Sequence, residues 1–125
     1  METTVTARGA RNAVAAYGER VATRHLLADG MQILDRNWRC RHGEIDIVAR
    51  DTDDLVFCEV KTRRSAAYGT PAEAVVATKA RRLRRLAAAW LEVHDIHAPG
   101  IRFDVIGVVP RRAGAAVVEH LRGAF

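Results

Sequence analysis

Two apolar runs separated by an acidic tetrapeptide constrain this chain more than any other feature. Gly43-Glu44-Ile45-Asp46-Ile47-Val48-Ala49-Arg50 and Leu55-Val56-Phe57-Cys58-Glu59-Val60-Lys61 are rich in Val, Ile and Phe, and Asp51-Thr52-Asp53-Asp54 lies between them. Apolar runs of that length around a short polar segment predict two antiparallel strands joined by a tight turn. With the turn centred between Thr52 and Asp53, Asp46 falls opposite Glu59 and Glu44 opposite Lys61. Side chains alternate between faces, so Ile45, Ile47, Ala49, Val56, Cys58 and Val60 share one face. The other carries Val48 and Phe57 near the turn, then Glu44, Asp46, Glu59 and Lys61 at the open end. Charged strand residues commonly mark a solvated face, and Glu44 with Lys61 alone would be an ordinary cross-strand pair. Two carboxylates placed opposite each other repel, however. Four charges gathered at one end of an apolar hairpin therefore favour a site, with a divalent cation to offset the repulsion.

The rest of the chain reads as one domain around that hairpin. Its 125 residues are enough for a core. A polar start, residues 1–11, reads as a flexible tail, and residues 12–125 as the single folded unit. Asn12 is a candidate cap for a helix from about Ala13 to Ala28, ended by Asp29-Gly30. Gly18 lies inside that helix, where glycine is costly unless another segment must approach closely. Met31 to Trp38 reads as a first strand and Asn37 to His42 as a basic turn. Thr70-Pro71-Ala72-Glu73 combines a cap, an early proline and a capping glutamate, which predicts a helix running to about Val93. Its buried stripe is Val75, Val76, Leu83, Leu86 and Trp90, and Lys79 lies on the same stripe. After Ala98-Pro99-Gly100, strands are expected over Ile101–Val109 and Ala115–Leu121. The order is α-β-β-β-α-β-β, an α/β fold with a mixed five-stranded sheet flanked by helices.

Charge narrows the partners. The formal charge is +5 and the sequence pI about 10.0, which favours a polyanion, nucleic acid first. No run is apolar enough to cross a bilayer and the start lacks a signal-peptide pattern, so a cytoplasmic protein without a membrane role is expected. Cys40 and Cys58, the only cysteines, make no disulfide framework. Cys40 and His42 with His94 and His97 match no common zinc spacing. Of twenty Lys and Arg residues only Lys61 and Lys79 are lysine. Lysine offers a compact, tunable ammonium that can approach a water or a phosphate oxygen as a point charge.

Asp46, then twelve residues, then Glu59-Val60-Lys61 resembles the PD-(D/E)xK nuclease signature, and the helices on either side resemble the restriction-endonuclease-like core. Within that superfamily the spacing is similar to archaeal Holliday junction resolvases, which carry a further glutamate on the first helix, where Glu19 stands. Gly18-Glu19, Ile33-Leu34, Arg36-Asn37-Trp38-Arg39, Gly43-Glu44-Ile45-Asp46, Glu59-Val60-Lys61-Thr62-Arg63, Tyr68-Gly69 with Pro71, and Arg102-Phe103-Asp104-Val105-Ile106 together resemble the bacterial YraN family. Cys58 departs from that pattern, which more often has an aliphatic residue there.

The resemblance implies a Mg2+- or Mn2+-dependent endonuclease acting on DNA, including branched or distorted DNA, in preference to RNA. Asp46, Glu59 and the Val60 backbone carbonyl would be metal ligands, Lys61 would orient a water, and Glu19 would hold an outer water or second cation. Glu44 reads as a structural partner of a nearby arginine. Arg63, Arg64, Lys79, Arg81, Arg82 and Arg85 would contact phosphates, and Tyr68 a base, without reading sequence. For the arginines simple solvation is an equal alternative, and for Tyr68 packing is the leading one. Asp104 is expected in an ion pair with an arginine. By analogy with two-fold junction cutters, a homodimer is expected. The alternatives are a non-catalytic nucleic-acid-binding module and a protein-interaction subunit of the same fold.

Overall fold

The computed structural model describes residues 7–63 and 77–125, with side chains at 13–63 and 79–125. Seven elements follow in the expected order: α1 (Ala7–Ala28), β1 (Gln32–Cys40), β2 (Gly43–Asp51), β3 (Asp54–Thr62), α2 (Ala77–His94), β4 (Gly100–Val109) and β5 (Val117–Leu121). The strands form one sheet in the order β1-β2-β3-β4-β5. All neighbours are antiparallel except β3 and β4, which run parallel. A parallel pair needs a long crossover, and the segment carrying α2 supplies it.

The hairpin register is the predicted one near the turn. Asp51 pairs with Asp54, Val48 with Phe57 and Ile47 with Cys58. Thr52 turns the chain with φ of 57°, a conformation costly for a β-branched residue. The ladder stops at Ile47–Cys58, so Asp46 and Glu44 have no regular partners on β3. Strict alternation fails there too. Ile47 packs in the cluster beneath α1 with Ala22, Leu26 and Cys58. Ile45 packs instead with Val48, Phe57, Leu86 and Trp90 beneath α2. Placing Ile45 on the Ile47 face is therefore incorrect: freed from β3, the strand turns at Asp46 and sends Ile45 to the other core.

Both sheet faces are covered. Leu83, Leu86 and Trp90 of α2 are 4%, 1% and 1% exposed, each contributing about 1.5–3 kcal/mol of apolar burial. The Trp90 N–H donates to Asp35 Oδ2 at 2.9 Å, so its burial strands no polar group. α1 begins at Ala7 rather than near Ala13; an Ala- and Arg-rich start carries the helix past the Asn12 cap. β1 extends to Cys40, and the turn is confined to Arg41-His42. The expected basic turn at Asn37 is instead a positive φ of 52° within β1. The helix start at Thr70–Glu73, the stripe residues Val75 and Val76, and Arg64 and Tyr68 lie outside the described residues. No described helix is long and apolar enough to cross a membrane.

Candidate active site

Where the β2–β3 ladder ends, the strands part and four carboxylates converge. Asp46 Oδ2 accepts the Val60 N–H at 2.8 Å. In an extended strand the N–H and C=O of one residue point the same way, so the Val60 carbonyl faces Asp46 rather than β4. Burial is the main cause pushing the Asp46 carboxyl up to about 7. The negative charges of Glu59, Glu19 and Glu44 add to it, and the Val60 hydrogen bond opposes it. Among the described residues no cation is a main influence on this carboxylate, and a bound cation would supply the missing positive charge.

Glu19 reaches this cluster because Gly18 lets α1 sit down on the end of β3. A Cβ at Gly18 would lie 1.7 Å from Thr62 Oγ1 and 2.9 Å from Thr62 Cβ, a separation no side chain tolerates. Thr23 Oγ1 donates to the Glu19 backbone carbonyl at 2.7 Å, leaving the Glu19 carboxylate to other partners. Burial raises the Glu19 pKa; a hydrogen bond from Asn37 opposes that shift, as do the charges of Arg36 and Arg39. Asn37 tolerates its left-handed backbone better than most residues. Its contact with Glu19 was missed by sequence reasoning, although an Asn between Arg36 and Trp38 within a strand was a signal of irregular backbone.

Glu44 does not pair with Lys61. It lies opposite Arg39 on β1 and forms an ion pair with it at 2.9 Å. Lys61 Nζ instead lies 3.5 Å from Glu59 Oε1, with side chains 27% and 20% exposed, which leaves the ammonium open to a ligand. Lys79 of α2 lies beside them: a hydrogen bond with Lys61 is the main cause lowering its pKa, followed by burial and the Lys61 charge, while Glu59 acts in the opposite sense. The chain's two lysines, distant in sequence, thus meet over one carboxylate. Glu44, Glu59, Lys79 and Arg82 border an open cleft floored by Leu83 and Leu86.

The donor set fits a hard divalent cation. Asp46 and Glu59 would supply carboxylate oxygens and Val60 a carbonyl, the all-oxygen set that Mg2+ or Mn2+ prefers. Among the described residues, no three of Asp46, Glu59, Glu19 and Glu44 bring their ligand oxygens within 4.8 Å of one another. The phosphate-facing candidates are spread more widely. Arg81, Arg82 and Arg85 lie exposed along α2. Arg84 is committed to packing, with its guanidinium 5.9 Å from the Phe103 ring centre and 5.7 Å from that of Phe125. Arg63 closes β3, its N–H donating to the Val108 carbonyl at 2.9 Å.

Fold and site together define a mixed α/β protein with a partly buried acid-and-lysine cluster at the end of its central hairpin. The chain belongs to the family described as uncharacterised protein family UPF0102, whose model matches residues 18–108, the YraN-like group. It is 60% identical to a UPF0102 protein of Beutenbergia cavernae over 91% of this chain and 97% of that protein. It is 63% identical to UPF0102 protein Franean1_1156 of Parafrankia sp. over 87% and 92%. With a UPF0102 protein of Streptomyces griseus the identity is 57%, over 91% and 97%.

Proposed function

We propose that this protein is a metal-dependent endonuclease that hydrolyses phosphodiester bonds in DNA, with branched or distorted DNA as its preferred substrate and a homodimer as its working form. The observation that carries the reading is the acid cluster around Asp46, a carboxylate bonded by the Val60 N–H at 2.8 Å and pushed up to about 7 by burial and by neighbouring acids, with Lys61 and Lys79 gathered on the adjacent Glu59. Asp46, Glu59 and the Val60 carbonyl would hold Mg2+ or Mn2+, which when bound supplies Lewis acidity toward a phosphate and a more acidic water.

The remaining work falls to this chain's own groups. Lys61 is steered by Glu59, and among the described residues no second acid pairs with it, so its ammonium can meet a water or a non-bridging phosphate oxygen. Lys79 adds a second positive charge beside it, and an incoming phosphate relieves the crowding of the two ammoniums. Glu19, tethered by Asn37, can accept a hydrogen bond from an outer water. Arg81, Arg82 and Arg85 would hold flanking phosphates and make affinity fall steeply with salt.

The test incubates the purified chain with branched, flapped and linear DNA, with and without Mg2+ or Mn2+, beside Asp46→Asn and Lys61→Ala. Expected is cation-dependent cleavage, favouring branched substrates and reduced at least about 100-fold by either substitution. Cleavage that survives both substitutions would remove the enzyme reading. Salt-sensitive binding without cleavage would replace it with a non-catalytic nucleic-acid-binding module. No binding at low salt would leave the interaction subunit.

A further inference from the structure

We propose that His25, Asp29 and His120 form a separate metal site for a borderline transition cation of the zinc type. His25 lies in the last turn of α1, Asp29 just beyond it and His120 on β5. Among the described residues they are the one trio of His, Cys, Asp or Glu whose ligand atoms all lie within 4.8 Å of one another. His25 Nε2 is 3.1 Å from His120 Nδ1. Two imidazole nitrogens on one tetrahedral Zn2+ stand about 3.3 Å apart, given metal–nitrogen bonds of about 2.0–2.1 Å.

The protonation of His120 follows from its other nitrogen. Asp104 is wholly buried. Its Oδ1 accepts from Arg102 Nε at 2.9 Å and from the Gly123 N–H at 3.0 Å. Its Oδ2 accepts from Arg102 Nη2 at 3.0 Å and faces His120 Nε2 at 2.7 Å. A carboxylate engaged as an acceptor on every side leaves Nε2 as the protonated nitrogen of His120. With the proton on Nε2, the Nδ1 lone pair is the one left to bind a metal, and Nδ1 lies 3.1 Å from His25 Nε2. A carboxylate–imidazole pair of this kind is the usual outer support of a metal-bound histidine, fixing its tautomer and ring orientation.

The support continues around a ring. Arg102 Nη1 also donates to Asp51 Oδ2 at 2.9 Å. Arg122 bridges that same Asp51 oxygen, at 3.3 Å, to Asp29. Asp29 and His120 are thus held at the ends of one chain of charge-assisted hydrogen bonds before any ligand arrives. His25 is half-buried and Asp29 exposed, which opens the trio to solvent. Two imidazoles and one carboxylate suit zinc-like cations, whereas Mg2+ and Ca2+ prefer all-oxygen sets. Without a cation the two imidazoles are left to share one proton in an ordinary hydrogen bond, and the metal takes the place of that proton.

The full chain is titrated with Zn2+ and, separately, with Co2+, following heat, visible absorption and the imidazole nitrogen resonances. Expected are tetrahedral Co2+ absorption and shifts at His25 Nε2 and His120 Nδ1 that saturate with one equivalent at these two residues. His25→Gln should weaken the binding seen at the imidazoles at least about 100-fold, and Asp104→Asn about 10–100-fold. Imidazole resonances unmoved at saturating Zn2+, or uptake indifferent to His25→Gln, would overturn the site. The wild-type resonances decide the matter even if a variant folds poorly. Because Mg2+-dependent cleavage does not enter the readout, the two sites fail or stand independently.

Discussion

Asp46 and Asp104 are two aspartates withdrawn into the same sheet, and their surroundings push them in opposite directions. Asp104 has four N–H partners and two arginine- or histidine-based neighbours. Burial alone would raise its pKa, but the hydrogen bonds from His120, Arg102 and Gly123 outweigh that and hold it near about 2. Asp46 has the Val60 N–H and a set of acidic neighbours, and rises to about 7. A buried acid that serves the fold is saturated with donors. One left short of positive charge costs stability, and such a cost persists where something outside the chain supplies the missing charge.

The largest expected effect breaks the saturated side. Asp104→Asn leaves the Arg102 guanidinium facing a neutral amide, and loss of one partner from a buried pair costs about 3–5 kcal/mol. Because the folded-state pKa is depressed, the stabilisation from the ionised group is present at neutral pH. It fades as pH falls from about 4 toward about 2. Urea unfolding at pH 7 and pH 3 should therefore show a large difference from wild type at the first and one smaller by roughly 1 kcal/mol at the second.

Asp46→Asn should act with the opposite sign. A pKa raised in the folded state means the favourable, protonated form is fully present below about 4 and is lost as pH climbs through about 7. In metal-free buffer at pH 8 the variant should be more stable than wild type by on the order of 2 kcal/mol, a rise of several degrees in Tm. At pH 4 the two should melt together. Added Mg2+ should close the gap at pH 8 by stabilising only the wild type.

The smallest effect sharpens the comparison at its edge. Asn37→Ala removes the amide that steadies Glu19 and places a Cβ-bearing residue with no local hydrogen bond at φ of 52°. Asn37→Gly removes the amide but tolerates the backbone. Both should weaken Mg2+ binding about three- to tenfold in calorimetry, about 1 kcal/mol, while Asn37→Ala alone also lowers Tm.

How legible this was depended on how local each feature is. The hairpin, its turn and its register near Thr52 followed from an alternating pattern and four polar residues, and the helix stripe of Leu83, Leu86 and Trp90 from its spacing. Lys79 belonged to that stripe by the same argument. The exchange of Ile45 between faces was not legible, because alternation holds only while the ladder lasts and nothing in the sequence says that it ends at Ile47–Cys58. Glu44 fell opposite Lys61 in the two-strand register, yet its reading as the partner of a nearby arginine holds: Arg39 of β1 pairs with it. His25 and His120 are 95 residues apart and meet only because α1 packs over a sheet whose last strand is β5.

The most direct test is the ionisation of Asp46 itself, followed by carbon NMR of its side-chain carboxyl as pH is varied in metal-free solution. The account predicts a midpoint near about 7, driven sharply down by millimolar Mg2+ as the cation competes with the proton. A midpoint near the ordinary aspartate value of about 4, unmoved by Mg2+ or Mn2+, would contradict it.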